Sequence, residues 1–168
     1  FKNLTYYGRG PEENYCDRKT SQFIGEYSRE IKDMFEPYVR PQENNHRTDV
    51  RWYSLTGKDG LLVVADDTFE FNISNYPLET VDSGENKDIR KPDPRASGIL
   101  HIVDAKPEPF VDCFIDGAMT GVGGDNSWGA MPHEKYRVRT GEENAIQYGF
   151  MLIPYAKKAD YKSFIRQY

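Results

Sequence analysis

The stretch Asp67 to Ser74, DTFEFNIS, alternates without a break. Phe69, Phe71 and Ile73 fall on one side, and Glu70, Asn72 and Ser74 on the other. A period of two is the signature of a strand with one buried face, because successive side chains point to opposite sides. Working outward, GLLVVAD (residues 60–66) and TDVRWYSL (48–55) are apolar segments on either side of TGKDG (56–60), a glycine-bearing turn of hairpin type. Downstream, PFVDCFID (109–116) and GILHIVD (98–104) read as further strands. EKYRVRT (134–140) puts Tyr136 and Val138 inward and Lys135, Arg137 and Arg139 outward. AIQYGFMLIPY (145–155) is nearly continuous in apolar residues, which suits a central strand.

Helical signals are sparse. NYPLETVD (75–82) forms at most one turn, with Pro77 at its start. KKADYKSFIRQY (157–168) spaces Tyr161, Phe164 and Ile165 as a terminal helix or a frayed tail would. SGENKDIRKPDPRA (83–96) is charged and holds two prolines, so it reads as an exposed loop. The expected class is all-β: an antiparallel β-sandwich over residues 1–155, followed by a tail or short helix over 156–168.

Composition narrows the function. The 168 residues suffice for one domain with a real core. Mean hydropathy is −0.78, a polar balance in which twelve tyrosines supply rings that bury while their hydroxyls stay wet. A net charge of −5 and no basic run argue against nucleic acid, which needs a basic footprint. No apolar run approaches a membrane span. The chain opens on Phe1 with neither an initiator methionine nor a charged-then-apolar leader, so it reads as starting inside a longer protein. Cys16 and Cys113 are too few for a disulfide framework. In PFVDCFID, Cys113 falls in phase with Val111 and Ile115 and reads as a small buried hydrophobe. Nothing supports its pairing with Cys16, and the compartment stays open between periplasm, exterior and cytoplasm.

Gly121 to Gly129, GVGGDNSWG, is the most unusual loop. As a phosphate cradle it lacks the lysine and the following helix. No βαβ pattern surrounds it for a dinucleotide. As a calcium loop it offers one carboxylate, Asp125. Two readings of Trp128 survive: a ring that plugs the core, or a flat platform for the apolar face of a sugar. Asp125, Asn126 and Ser127 would bond sugar hydroxyls or tie the loop down.

Elsewhere, YYGRGPEENYCDR (6–18) contains adjacent acids, Glu12 and Glu13. Neighbouring residues point different ways, so they read as a turn satisfying its own amides rather than an acid/base pair. PYVRPQENNHRTDVRW (37–52) reads as an ordered loop entering a strand. His46, His101 and His133 stand apart with no zinc spacing, and His101 reads as a sheet residue. No nucleophile elbow appears. The residues alone give no complete catalytic centre.

In order, YYGRGPEENYCDR, PYVRPQENNHRTDVRW, FEFNISNY and GVGGDNSWG resemble the C-terminal part of the large bacterial β-galactosidases of glycoside hydrolase family 2. Val81 to Pro109 and the tail after Pro154 have no clear counterpart. The resemblance implies a parent enzyme that removes terminal non-reducing β-D-galactose from β-galactosides with retention, using two glutamates in a (β/α)8 barrel. This chain does not contain that barrel and is expected to be inactive alone. The implied fold is the later part of a galactose-mutarotase-like supersandwich, truncated at its N-terminal side. The implied role is to complete the substrate pocket, with Trp128 stacking on sugar and Asp125, Asn126 and Ser127 shaping the loop. Implied partners are the catalytic barrel and other domains of the same polypeptide, a galactoside, and further copies in a homo-oligomer. Magnesium and sodium sites of such enzymes lie in other domains, so no cofactor is expected here. A free-standing carbohydrate-binding module and a purely structural or oligomer-interface domain are the alternatives. A buried Trp128 would favour the structural one.

Overall fold

A computed structural model of the chain describes residues 1–39, 42–81, 101–126 and 128–166. The described strands form one antiparallel sheet, joined by loops and a few short helical turns. The strands are β1 (Asn3–Gly10), β2 (Phe23–Glu30), β3 (Arg47–Thr56), β4 (Gly60–Ser74), β5 (Asp112–Asp116) and β6 (Phe150–Tyr155). Their order is β2-β1-β3-β4-β5, and β6 also pairs with β4. β4 organises the sheet. Its first half, Gly60 to Ala65, pairs with β6, and its second half, Glu70 to Ser74, pairs with β5. GLLVVAD and DTFEFNIS are thus one strand of 15 residues rather than two.

The alternation seen in DTFEFNIS builds the main core. Phe69, Phe71 and Ile73 are buried with Val63 on the same face. Cross-strand pairing carries that face onward: Tyr53 lies opposite Val63 and Tyr6, and Leu55 opposite Leu61 and Leu4. Such pairs are the unit of sheet stability. The aromatics meet edge-on, Tyr53 with Phe69 at 5.7 Å and Tyr6 with Phe71 at 5.3 Å, the arrangement that ring quadrupoles favour. Ile31 and Met34 close this core from the short turn after β2.

Between Arg47 and Trp52 the register of β3 slips twice. Bulges of this kind re-aim side chains. They let Val50 join the main core while Trp52 turns to the opposite face. There Trp52, Leu62, Val64 and Tyr155 form a second cluster. The tail lies over it through Ala159, Tyr161, Phe164 and Ile165. A short helix, α2 (Lys162–Ile165), holds the last two of these. The other short helix, α1 (Leu78–Val81), follows Pro77 as expected. The hairpin also forms as expected, with Thr56 opposite Gly60. Gly60 must lack a side chain, because a Cβ there would lie 2.0 Å from the Tyr155 ring.

Several expectations are corrected. EKYRVRT is not a strand: Glu134–Tyr136 is a 3-10 turn. It runs beside Thr120 and Gly121, but its bonds do not make a ladder. The Gly121 N–H donates to the Tyr136 carbonyl (2.8 Å), while the Val138 N–H goes to the Thr120 hydroxyl (3.0 Å). The described part of GILHIVD forms a 3-10 turn at Ile102–Asp104, with His101 exposed before it rather than in a sheet. AIQYGFMLIPY yields only β6, and among the described strands its one partner is β4. Phe150 and Leu152 are exposed there, so a nearly continuous apolar run gave a false sign of a central strand. Cys113 is exposed and free on β5, and Cys16 is free and half-buried. The charged segment 83–96 lies outside the described residues.

Candidate functional site

The glycine loop is built by its neighbours. Gly123, Gly124 and Gly129 have φ of 72°, 102° and 83°, a left-handed region open to glycine at little cost. At the stem, the Val122 and Gly123 N–H groups donate to the Asp17 carboxylate at 3.1 and 2.8 Å. Gly121 packs on the same carboxylate, and a Cβ there would lie 2.4 Å from Oδ2. At the tip, Asn126 Oδ1 accepts the Trp128 N–H at 2.8 Å. Asp125 meets His133 Nε2 at 2.5 Å across the loop. Ser127 lies outside the described residues. Trp128 is 93% exposed, whereas Trp52, the other tryptophan, is buried. The core-plug reading of Trp128 therefore fails, and the loop holds a large apolar ring out in solvent.

Sequence reasoning did not find Asp17 or His133 as loop partners. Asp17 is 105 residues from Val122, so no local spacing signals the contact.

Glu12 and Glu13 do part company. Glu12 is exposed and bonds Arg29. Glu13 is buried and accepts from Arg18 (2.9 Å), the Asn45 N–H (2.8 Å) and the Tyr38 hydroxyl. Glu13 thus holds the turn from inside, while Glu12 pairs at the surface with Arg29 on β2.

Between the approach to β3, β4 and the end of β5 is a cavity of about 230 Å³ with Glu43, His46, Asn72 and Asp116 among its polar residues and Phe114 and Met119 among its apolar ones. His46 is fully buried, stacks on Tyr15, and meets Glu70 at 3.0 Å. Burial pushes the Glu43 carboxyl above its ordinary value, partly offset by a bond from Asn72. Burial also raises Asp116, with His46 pulling it back and Glu70 pushing it further up. The space is smaller than most small-molecule pockets (~300 Å³ or more) and has room for several waters. Among the described residues, no group of three or more His, Cys, Asp or Glu could hold a metal ion. No helix among them is long and apolar enough to cross a membrane.

A raised carboxyl binds its proton more tightly in the folded state than in the unfolded one. Its contribution to stability is present below the unfolded value and is lost as pH rises through the folded value. Asp116→Asn, which removes the charge at constant shape, is expected to raise the thermal midpoint at pH 7. The gain should shrink toward zero as pH falls well below the ordinary aspartate value of about 3.9, where the group is protonated in both states. Melting curves at both pH values check this. A loss of stability at pH 7 would contradict it.

An antiparallel β domain that holds a tryptophan in solvent on a glycine-shaped loop is the class that fold and loop define. The chain belongs to the beta-galactosidase small-chain family, whose model matches residues 1–152. It is similar to a beta-galactosidase of Priestia megaterium, at 35% identity over 81% of this chain and 12% of that protein. A beta-galactosidase of Lactococcus lactis is 33% identical over 83% of the chain and 12% of the relative. One from Streptococcus thermophilus is 27% identical over 92% of the chain and 14% of the relative. The chain thus spans about an eighth of the length of the curated relatives it matches.

Proposed function

We propose that this chain is the non-catalytic C-terminal β domain of a retaining glycoside hydrolase family 2 β-galactosidase, and that it completes the substrate pocket by stacking Trp128 on a sugar. The observation that carries this reading is the 93% exposure of Trp128 on a glycine-shaped loop of a β-galactosidase small-chain domain. An exposed indole costs solvation unless something covers it, and the apolar face of a pyranose is a matching partner. Asp125 and Asn126 support the loop through His133 and the Trp128 amide rather than standing open for sugar hydroxyls. The carboxylates considered as an acid/base pair, Glu12 and Glu13, are engaged by arginines, which supports placing the catalytic glutamates elsewhere in the polypeptide. Metal ions of the parent would be held outside this chain. The domain would form the later part of a galactose-mutarotase-like supersandwich, with the barrel, other domains and further copies as its neighbours.

The test compares this chain with the longer polypeptide that carries it, using a chromogenic β-galactoside. The longer polypeptide should hydrolyse it, and the chain alone should show none above buffer. Turnover by the purified chain would refute the non-catalytic role. A longer polypeptide inactive on β-galactosides but active on another glycoside would refute the substrate assignment.

A further inference from the structure

We infer that Asp17 is the positioning residue of the Trp128 loop; the consequence for sugar affinity rests on the reading proposed above. Asp17 lies in a turn that is itself firmly held. Tyr15 and Arg18 exchange backbone bonds at 2.8 and 3.2 Å, and Arg18 reaches the buried Glu13. From this base the Asp17 carboxylate enters the concavity formed by two successive N–H groups, those of Val122 and Gly123. Consecutive amides of this kind form a nest for an anion, and bonds to a charged acceptor are stronger than neutral ones. Next door, the Cys16 sulfur lies 3.4 Å from the Met119 carbonyl. The stem is therefore gripped from one side by Cys16 and Asp17.

Beyond the stem the two arms of the loop meet each other, where a Cβ at Gly123 would lie 2.9 Å from the Ala130 carbonyl. A Cβ at Gly124 or Gly129 would meet nothing within 4 Å, so both stand in open space. The tip keeps its own shape through the Asn126–Trp128 and Asp125–His133 bonds. A tip joined to the body through its stem is placed by the groups that the stem is bonded to. Asp17 thereby sets where the indole sits. Holding a binding group in place before the ligand arrives raises affinity by removing an ordering cost.

The test uses the longer polypeptide. Hydrogen exchange read by mass spectrometry should show the peptide covering Val122 and Gly123 exchanging about tenfold faster or more in Asp17→Ala, the loss expected for charge-assisted bonds. Peptides from β1 and β4 should be unchanged. Asp17→Asn keeps one acceptor oxygen and should fall between. Unchanged exchange at Val122 and Gly123 would overturn the inference. So would faster exchange across the whole chain, which marks a residue needed only for folding. KM for a galactoside should rise in Asp17→Ala with kcat little altered. Asp17→Ala added to Trp128→Ala should cost nothing further, because both act through one ring. Local acceleration with KM unmoved in both Asp17→Ala and Trp128→Ala would uphold the positioning role and refute the sugar-stacking reading.

Discussion

Replacing Arg47 by alanine is expected to cost the domain more than about 3 kcal/mol, a large share of the roughly 5–15 kcal/mol that holds a typical domain together. Arg47 is fully buried at the start of β3. Its guanidinium donates to the Asn45 carbonyl (3.0 Å), the His46 carbonyl (3.1 Å), the Pro11 carbonyl (3.0 Å) and the Tyr6 hydroxyl (3.1 Å). These acceptors come from three separate segments, so one side chain ties β1, the Pro11 turn and the approach to β3 together. Alanine would remove four hydrogen bonds, among them the one to the carbonyl of the buried Asn45, and leave a void the size of the side chain, two penalties that add. Methionine fills much of the void but donates nothing. Lysine keeps a charge, yet its single ammonium cannot span four acceptors spread over a planar fork. Denaturant midpoints should therefore fall in the order wild type, lysine, methionine, alanine. A methionine variant as stable as the wild type would show that volume, not hydrogen bonding, is what the position supplies.

Arg47 also shows what the sequence conceals. In PYVRPQENNHRTDVRW it looks like one more loop arginine, because its burial depends on a turn more than thirty residues away. The period-two stretches behave differently. Phe69, Phe71 and Ile73 went inward as their spacing demanded, since a strand's side chains have only two directions to take. β1 was harder to see. Tyr6 and Tyr7 are both aromatic, so the buried and exposed faces look alike in sequence although Tyr6 is buried and Tyr7 is not. β2 lies at the edge of the sheet and carries polar residues on both faces, which blurs its period. EKYRVRT failed for the opposite reason. Its alternation is clear, but the chain beside it offered a side-chain hydroxyl where a ladder needs a carbonyl. At the loop, the glycines and the exposed aromatic were legible. The holding residue Asp17 was not, because contact between segments 106 residues apart leaves no spacing to read, and His133, eight residues from Asp125, sits in no regular element whose period would pair them.

On the function proposed above, Trp128→Ala in a full-length β-galactosidase that contains this domain is expected to weaken galactoside binding strongly while leaving the fold intact. The ring is 93% exposed, so no core contact is lost with it. A sugar face that covers about 80 Å² of apolar surface contributes about 2 kcal/mol at ~25 cal/mol per Å². That corresponds to a factor of about 30 in affinity. If the indole grips ground state and transition state alike, the loss appears in KM with kcat nearly constant; if it grips the transition state more, kcat falls as well. Phenylalanine or tyrosine keeps a smaller flat face and should restore part of the loss, a recovery that a residue acting only through loop shape would not give. Melting temperature should be unchanged in all three variants. Kinetics on several galactosides, beside an unchanged melt, form the check. A Trp128→Ala enzyme with wild-type KM and kcat on every galactoside would remove the stacking role and leave the exposed ring to be explained by a protein neighbour instead.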